Sequence, residues 1–224
     1  MLPIVAGFLA GSAHVVSGPD HLAALAPIAL DAPKSARSLG IRWGVGHGFG
    51  VLLLGGLGIL TKESLDLNVI SAWSEFAVGF ILIGVGLWSF YKARGIVIHS
   101  HPHVHSDSID DHNHVHIHTQ TEEHTHQTHQ GHAHTAFWVG MLHGSAGGGH
   151  LLGVLPSLAL SPVDACLYLS SYFIAAVISM AIFATVLGYM SSRQGPQVLQ
   201  KLMYGVSILV LGLGGVWSYH AWPL

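Results

Sequence analysis

The chain has 224 residues, half of them hydrophobic and only 8% charged, with a formal charge of −3. A soluble domain carries about a quarter charged residues, so this is a membrane composition. The single cysteine, Cys166, excludes an intrachain disulfide or a thiolate cluster, and the few Lys and Arg residues sit in short loops that form no nucleic-acid patch.

Six apolar runs are long enough to cross about 30 Å of hydrocarbon: residues 2–30, 39–60, 72–91, 136–160, 163–190 and 198–222. The first lacks the basic start of a signal peptide and continues past polar residues, so it reads as a retained first helix. In its middle lies His14-Val-Val-Ser-Gly18-Pro19-Asp20-His21. Ionisable residues at membrane depth are costly and mark function by default. Residues seven apart on an intact helix are about 10.5 Å apart along the axis, too far to share an ion at bond lengths of about 2 Å. A shared ion therefore demands that Gly18-Pro19 interrupt the helix.

The second run adds Gly44-Val-Gly-His47-Gly, a histidine framed by glycines. After the third run comes a tract from His99 to His134 with thirteen histidines, interleaved with Asp107, Asp110, Asp111, Glu122 and Glu123. Such a tract reads as low-complexity and disordered, able to capture, buffer or sense metal. The fourth run carries His143-Gly-Ser-Ala-Gly147-Gly-Gly-His150, where three glycines supply a second place to break.

An internal repeat emerges when the chain is shifted so that His14 falls on His143. Phe8, Gly11, Gly18, His21, Leu22 and Pro27 then fall on Phe137, Gly140, Gly147, His150, Leu151 and Pro156, all identical types. The same shift lays Leu82, Gly86, Trp88 and Ser89 onto Leu211, Gly215, Trp217 and Ser218, while runs two and five show no comparable match. With three runs per half, the second half enters the membrane from the opposite side. The expected fold is an all-α integral membrane protein: six transmembrane helices as two inverted three-helix repeats, with helices one and four discontinuous. The expected divisions are residues 1–98, a cytoplasmic His-rich loop at 99–135, and residues 136–224. Lys34, Arg37, Arg42, Lys92, Arg94, Arg193 and Lys201 fall on one side against Lys62 on the other. That asymmetry makes the loop side cytoplasmic and puts both termini outside; the expected location is a bacterial inner membrane.

The candidate metal ligands are His14, Asp20, His21, His47, His143 and His150. Imidazoles with a carboxylate suit Ni, Co, Cu(II) or Zn rather than Ca or Mg. Bis-histidine haem ligation would not need the Gly-Pro and Gly-Gly-Gly interruptions. The residues Gly11-Ser-Ala-His14-Val-Val-Ser-Gly18-Pro-Asp20-His21, Gly44-Val-Gly-His47-Gly and His143-Gly-Ser-Ala-Gly-Gly-Gly-His150 resemble the nickel/cobalt transporter superfamily, in particular its branch with urease-accessory-type nickel permeases and plastid relatives. The better-known permeases of that superfamily carry His-x4-Asp-His, whereas five residues separate His14 from Asp20 here. The resemblance implies a permease that moves Ni²⁺ or Co²⁺ as its substrate, without a resident cofactor and without enzymatic activity. Its expected partners are the lipid bilayer, the ion and a cytoplasmic metal-delivery protein. The competing readings are a membrane-embedded zinc hydrolase with Asp20 as general base, and a metal sensor acting through the His-rich tract.

Overall fold

The computed structural model describes residues 1–61, 67–103, 112–119, 128–146, 153 and 155–222. Among them are eight helices: α1 (Leu2–Ser17), α2 (Pro19–Asp31), α3 (Ala36–Thr61), α4 (Leu67–Arg94), α5 (Thr128–Gly144), α6 (Leu155–Leu158), α7 (Pro162–Arg193) and α8 (Pro196–His220). Between α4 and α5 lie two strands, β1 (Ile96–His103) and β2 (His112–Thr119).

Helix starts follow local chemistry. Pro19, Pro162 and Pro196 each open a helix, where the missing N–H has no partner to lose and the fixed φ is already helical. At α7 the Ser161 hydroxyl accepts from the Asp164 N–H at 3.3 Å and donates to its carboxylate at 2.9 Å, which satisfies one of the free amides of the first turn. Between α1 and α2 a single residue, Gly18, is extended at φ −88° and ψ 96°, and the two helices bend by 70° there. The interruption demanded by the His14–His21 spacing is present.

Among the described residues three segments are long and apolar enough to cross a membrane: Ala72–Arg94, Pro162–Arg193 and Pro196–His220; α1 and α2 pass the same test as a pair and make a fourth if the bent pair is one span. The second expected span lies within α3, whose 26 residues extend about 39 Å. The fourth begins as α5, which ends at Gly144; Gly147–Gly149 and His150 lie outside the described residues. The outer surface is apolar, with Phe8, Leu52, Phe80, Ile182 and Leu209 all exposed, whereas Asp20, His21, His47 and His143 are buried. A polar interior within an apolar exterior is the distribution a bilayer solvent selects, and the protein is a helical membrane protein.

Helix α1 packs on α7, α3 on both α5 and α7, and α4 on α8; α2 lies against α7 and α8. Serine hydroxyls join the helices: Ser171 donates to the Ile4 carbonyl at 2.6 Å, Ser191 donates to the Leu30 carbonyl at 2.7 Å, and the hydroxyls of Ser207 and Ser89 meet at 2.9 Å. At one end of the bundle Lys92 pairs with Asp31 at 3.0 Å, and the Gln200 amide donates to the carbonyls of Ala93 and Ile96 at 3.0 and 3.1 Å.

The His-rich tract departs from the expected unstructured loop. Residues 96–103 and 112–119 form an antiparallel hairpin with His99 opposite His116, His101 opposite His114 and His103 opposite His112. The reason lies in the alternation: His112-Asn-His-Val-His-Ile-His repeats every second residue and interleaves β-branched types, a strand pattern. Residues 128–134 belong to α5. The expected division at 98/99 thus falls within β1, and that at 135/136 within α5.

Candidate metal centre

Four helices deliver the candidate ligands. His14 lies in the last turn of α1, Asp20 and His21 in the first turn of α2, His47 near the middle of α3, and His143 one residue before the end of α5. The bend at Gly18 brings into contact two side chains that an intact helix would hold far apart along its axis. The Nε2 atoms of His14 and His21 are 3.1 Å apart. His47 brings its Nε2 to 3.3 Å from that of His14. An ion held tetrahedrally at about 2.0–2.1 Å by imidazole nitrogens separates them by about 3.3 Å, so His21 and His47 each stand at ligand spacing from His14, and one ligand atom from each of the three lies within 4.8 Å of the others.

Behind His21 stands Asp20. One carboxylate oxygen is 3.0 Å from His21 Nδ1 and the other 2.7 Å from His143 Nε2. An ionised carboxylate only accepts, so both imidazoles donate to it, and the 2.7 Å contact is the length of a charge-assisted hydrogen bond. With its proton on Nδ1, His21 directs the lone pair of Nε2 toward His14. Asp20 is 6% exposed and sits in the first turn of α2, where unpaired backbone amides and the helix dipole favour negative charge. Two imidazoles and a helix start together compensate a carboxylate taken out of water.

Five of the six sequence candidates, His14, Asp20, His21, His47 and His143, therefore form one cluster. They fall into two groups of mutually close ligand atoms, His14/His21/His47 and Asp20/His21/His143. His150, the sixth, lies outside the described residues.

Two aromatic residues that sequence reasoning passed over wall the cluster. Trp43 is fully buried and stacks parallel to His47 at 5.7 Å between centroids, with His143 at 5.2 Å and His21 at 5.9 Å. Tyr172 lies 5.8 Å from His14. The shift that lays His14 on His143 also lays Trp43 on Tyr172. The pairs Tyr172–His14 and Trp43–His143 thus correspond, and they supply the match between runs two and five that residue identity does not show. Backbone contacts repeat the correspondence: a Cβ on Gly11 would collide with the Tyr172 carbonyl oxygen, and one on Gly140 with that of Trp43.

Fold and site together define a helical membrane protein with a buried histidine–aspartate cluster at a broken helix. Two Arabidopsis thaliana proteins are similar to it. They are named Chloroplast protein FOR GROWTH AND FERTILITY 2 and Chloroplast protein FOR GROWTH AND FERTILITY 1. Each is 31% identical over 213 residues, covering 93% of this chain. The chain spans about half the length of these relatives, 54% and 56% respectively. No family model matches the chain, and no solved structure matches it.

Proposed function

We propose that this protein is a permease for a divalent transition-metal ion, Ni²⁺ or Co²⁺, of the nickel/cobalt transporter type that its motifs resemble. The observation that carries the reading is that the Nε2 atoms of His21 and His47 both stand at ligand spacing from His14 Nε2 beside a break in a membrane helix. Three imidazoles leave one or more coordination positions for water, so the ion can be gripped and released. Nitrogen donors favour Ni, Co and Zn over alkaline-earth ions. Asp20 orients His21 and holds compensating charge close to the ion.

The fold proposed for this activity has six spans in two inverted halves. If span one exchanges with four, two with five and three with six, the α1–α7 contact exchanges with α3–α5, while α3–α7 and α4–α8 map onto themselves. All four contacts are present. The contacts of Asp31 with Lys92, of Leu30 with Ser191 and of Gln200 with Ala93 gather the ends of α2, α4 and α7 with the start of α8. These ends, with the α2–α3 link and the start of α3, carry Lys34, Arg37, Lys92, Arg94, Arg193 and Lys201, six of the eight Lys and Arg residues, which supports a cytoplasmic or stromal face there. The names of the relatives support a plastid membrane, in place of the bacterial inner membrane expected from the sequence. In the hydrolase alternative Asp20 would be the base, yet both its oxygens are engaged by imidazoles, which favours the transport reading.

The test is movement of Ni²⁺, Co²⁺, Zn²⁺ and Mn²⁺ into sealed proteoliposomes containing the purified chain. Saturable Ni²⁺ or Co²⁺ entry supports the proposal. Entry no faster than in empty liposomes overturns it.

A further inference from the structure

The two ligand groups share one residue, His21, and use opposite edges of its ring. Its Nε2 is 3.1 Å from His14 Nε2 in the first group. Its Nδ1 is 3.0 Å from Asp20 Oδ1 and 3.2 Å from His143 Nε2 in the second. Lone pairs on the two nitrogens of an imidazole diverge, so no single ion can bond both. Resting on the transport reading, we infer that the cluster contains two adjacent ion positions, one on each edge of His21, and that a transported ion passes from one to the other.

The positions differ in three ways that give the passage a direction to work with. The first is built from α1, α2 and α3, all in the first half of the chain, and the second from α2 and α5, so passage carries the ion onto a ligand from the second half. His14 is half-buried whereas Asp20, His21 and His143 are buried, so the first position is the one reached from outside the cluster. The first has nitrogen spacings of 3.1 and 3.3 Å, already those of a bound ion. In the second, Asp20 and His143 stand at the 2.7 Å of a hydrogen bond and must separate by roughly half an ångström to admit an ion at about 2.0–2.2 Å from each ligand. The second position is therefore closed until the ion arrives.

A neutral imidazole offers one lone pair at a time, so the two positions fill alternately. In the passage the metal–Nε2 bond breaks and a metal–Nδ1 bond forms. Two ring protons move with it and both imidazoles stay neutral: that of His21 changes from Nδ1 to Nε2, and that of His143 leaves Nε2, where it was donated to Asp20, for Nδ1, which frees the Nε2 lone pair for the ion. The acceptor changes too, from an all-imidazole set to one with a carboxylate oxygen.

Co²⁺ serves as the probe, with X-ray absorption reading its ligands in the purified full-length protein and flux read in proteoliposomes. His143→Gln removes a ligand of the second position only. The inference expects Co²⁺ binding within threefold of wild type and flux lowered at least tenfold. His47→Ala, or His47→Asn if the alanine protein is not monodisperse, removes a ligand of the first position only. Bound Co²⁺ should then show a carboxylate oxygen among its ligands. Wild-type flux in His143→Gln, or equal losses of binding and flux, overturns the inference, as does a coordination shell without carboxylate oxygen in the His47 variant. Wild-type liposomes that move neither Ni²⁺ nor Co²⁺ would instead overturn the transport reading, and the ligand spectra of the His47 variant would decide the two positions by themselves.

Discussion

His21 is the residue on which the cluster turns, because one edge of its ring faces His14 and the other faces Asp20 and His143. At the position formed with His14 and His47, Asp20 acts on the ion through it. Loss of a carboxylate that orients a metal-bound histidine costs about 10–100-fold in affinity. Asp20→Asn should therefore weaken Ni²⁺ binding by that factor, measured by equilibrium competition with a chromophoric chelator; unchanged affinity would show that the carboxylate does not position His21. Trp43 is a matter of packing as well as chemistry, being fully buried among three of the imidazoles. Trp43→Ala should lower stability by about 3–5 kcal/mol, visible as a fall in thermal unfolding temperature. The ligand residues were legible in the sequence because ionisable side chains are expensive in apolar runs and so stand out. Trp43 and Tyr172 were not, since aromatic residues in membrane helices carry no such cost and usually only pack.

The element that shapes the site is the α1–α2 break. Its existence followed from the spacing of His14 and His21, since a ligand pair that must meet cannot remain on one face of an unbroken helix. Its angle did not follow, because 70° is fixed by how α2 lies against α7 and α8. Replacing Gly18-Pro19 by Ala-Ala offers two good helix formers at the junction and favours a continuous helix. Ni²⁺ affinity should fall at least tenfold in this variant while helical circular dichroism is retained or rises; retained affinity would mean that the break is not what brings the histidines together. The strand pairing of the His-rich tract was legible in its alternation but was outweighed by its low complexity. Because α5 begins at Thr128, a clean removal of the tract takes residues 99–127 and spares the helix that carries His143. Flux should persist in that deletion with an altered apparent affinity, and its complete loss in a well-folded protein would make the tract part of the path.

Across the whole molecule, the repeat that relates His14 to His143 is visible first as paired His-x6-His segments and then, in space, as paired aromatic–histidine and glycine–carbonyl contacts. Residue identity reported it for spans one, three, four and six. It was silent for two and five, where Trp43 and Tyr172 fill corresponding places with different side chains. The proposed inverted halves also make a claim about sides. Cys166, the single cysteine, is exposed in the first turns of α7, the opposite end of that helix from Arg193. In sealed vesicles of known orientation, a membrane-impermeant thiol reagent should reach Cys166 from the face opposite the His-rich tract; labelling from the same face would refute the inverted arrangement.

The central claim is that an ion crossing the membrane is held by His14, His21 and His47. Its most direct test compares initial rates of Ni²⁺ entry into proteoliposomes for wild type and His14→Ala, with both proteins monodisperse and equally helical. His14 is the half-buried member of the three, so its truncation disturbs packing least while removing one ligand of three. The account predicts that saturable entry falls at least tenfold. Entry at the wild-type rate would contradict it.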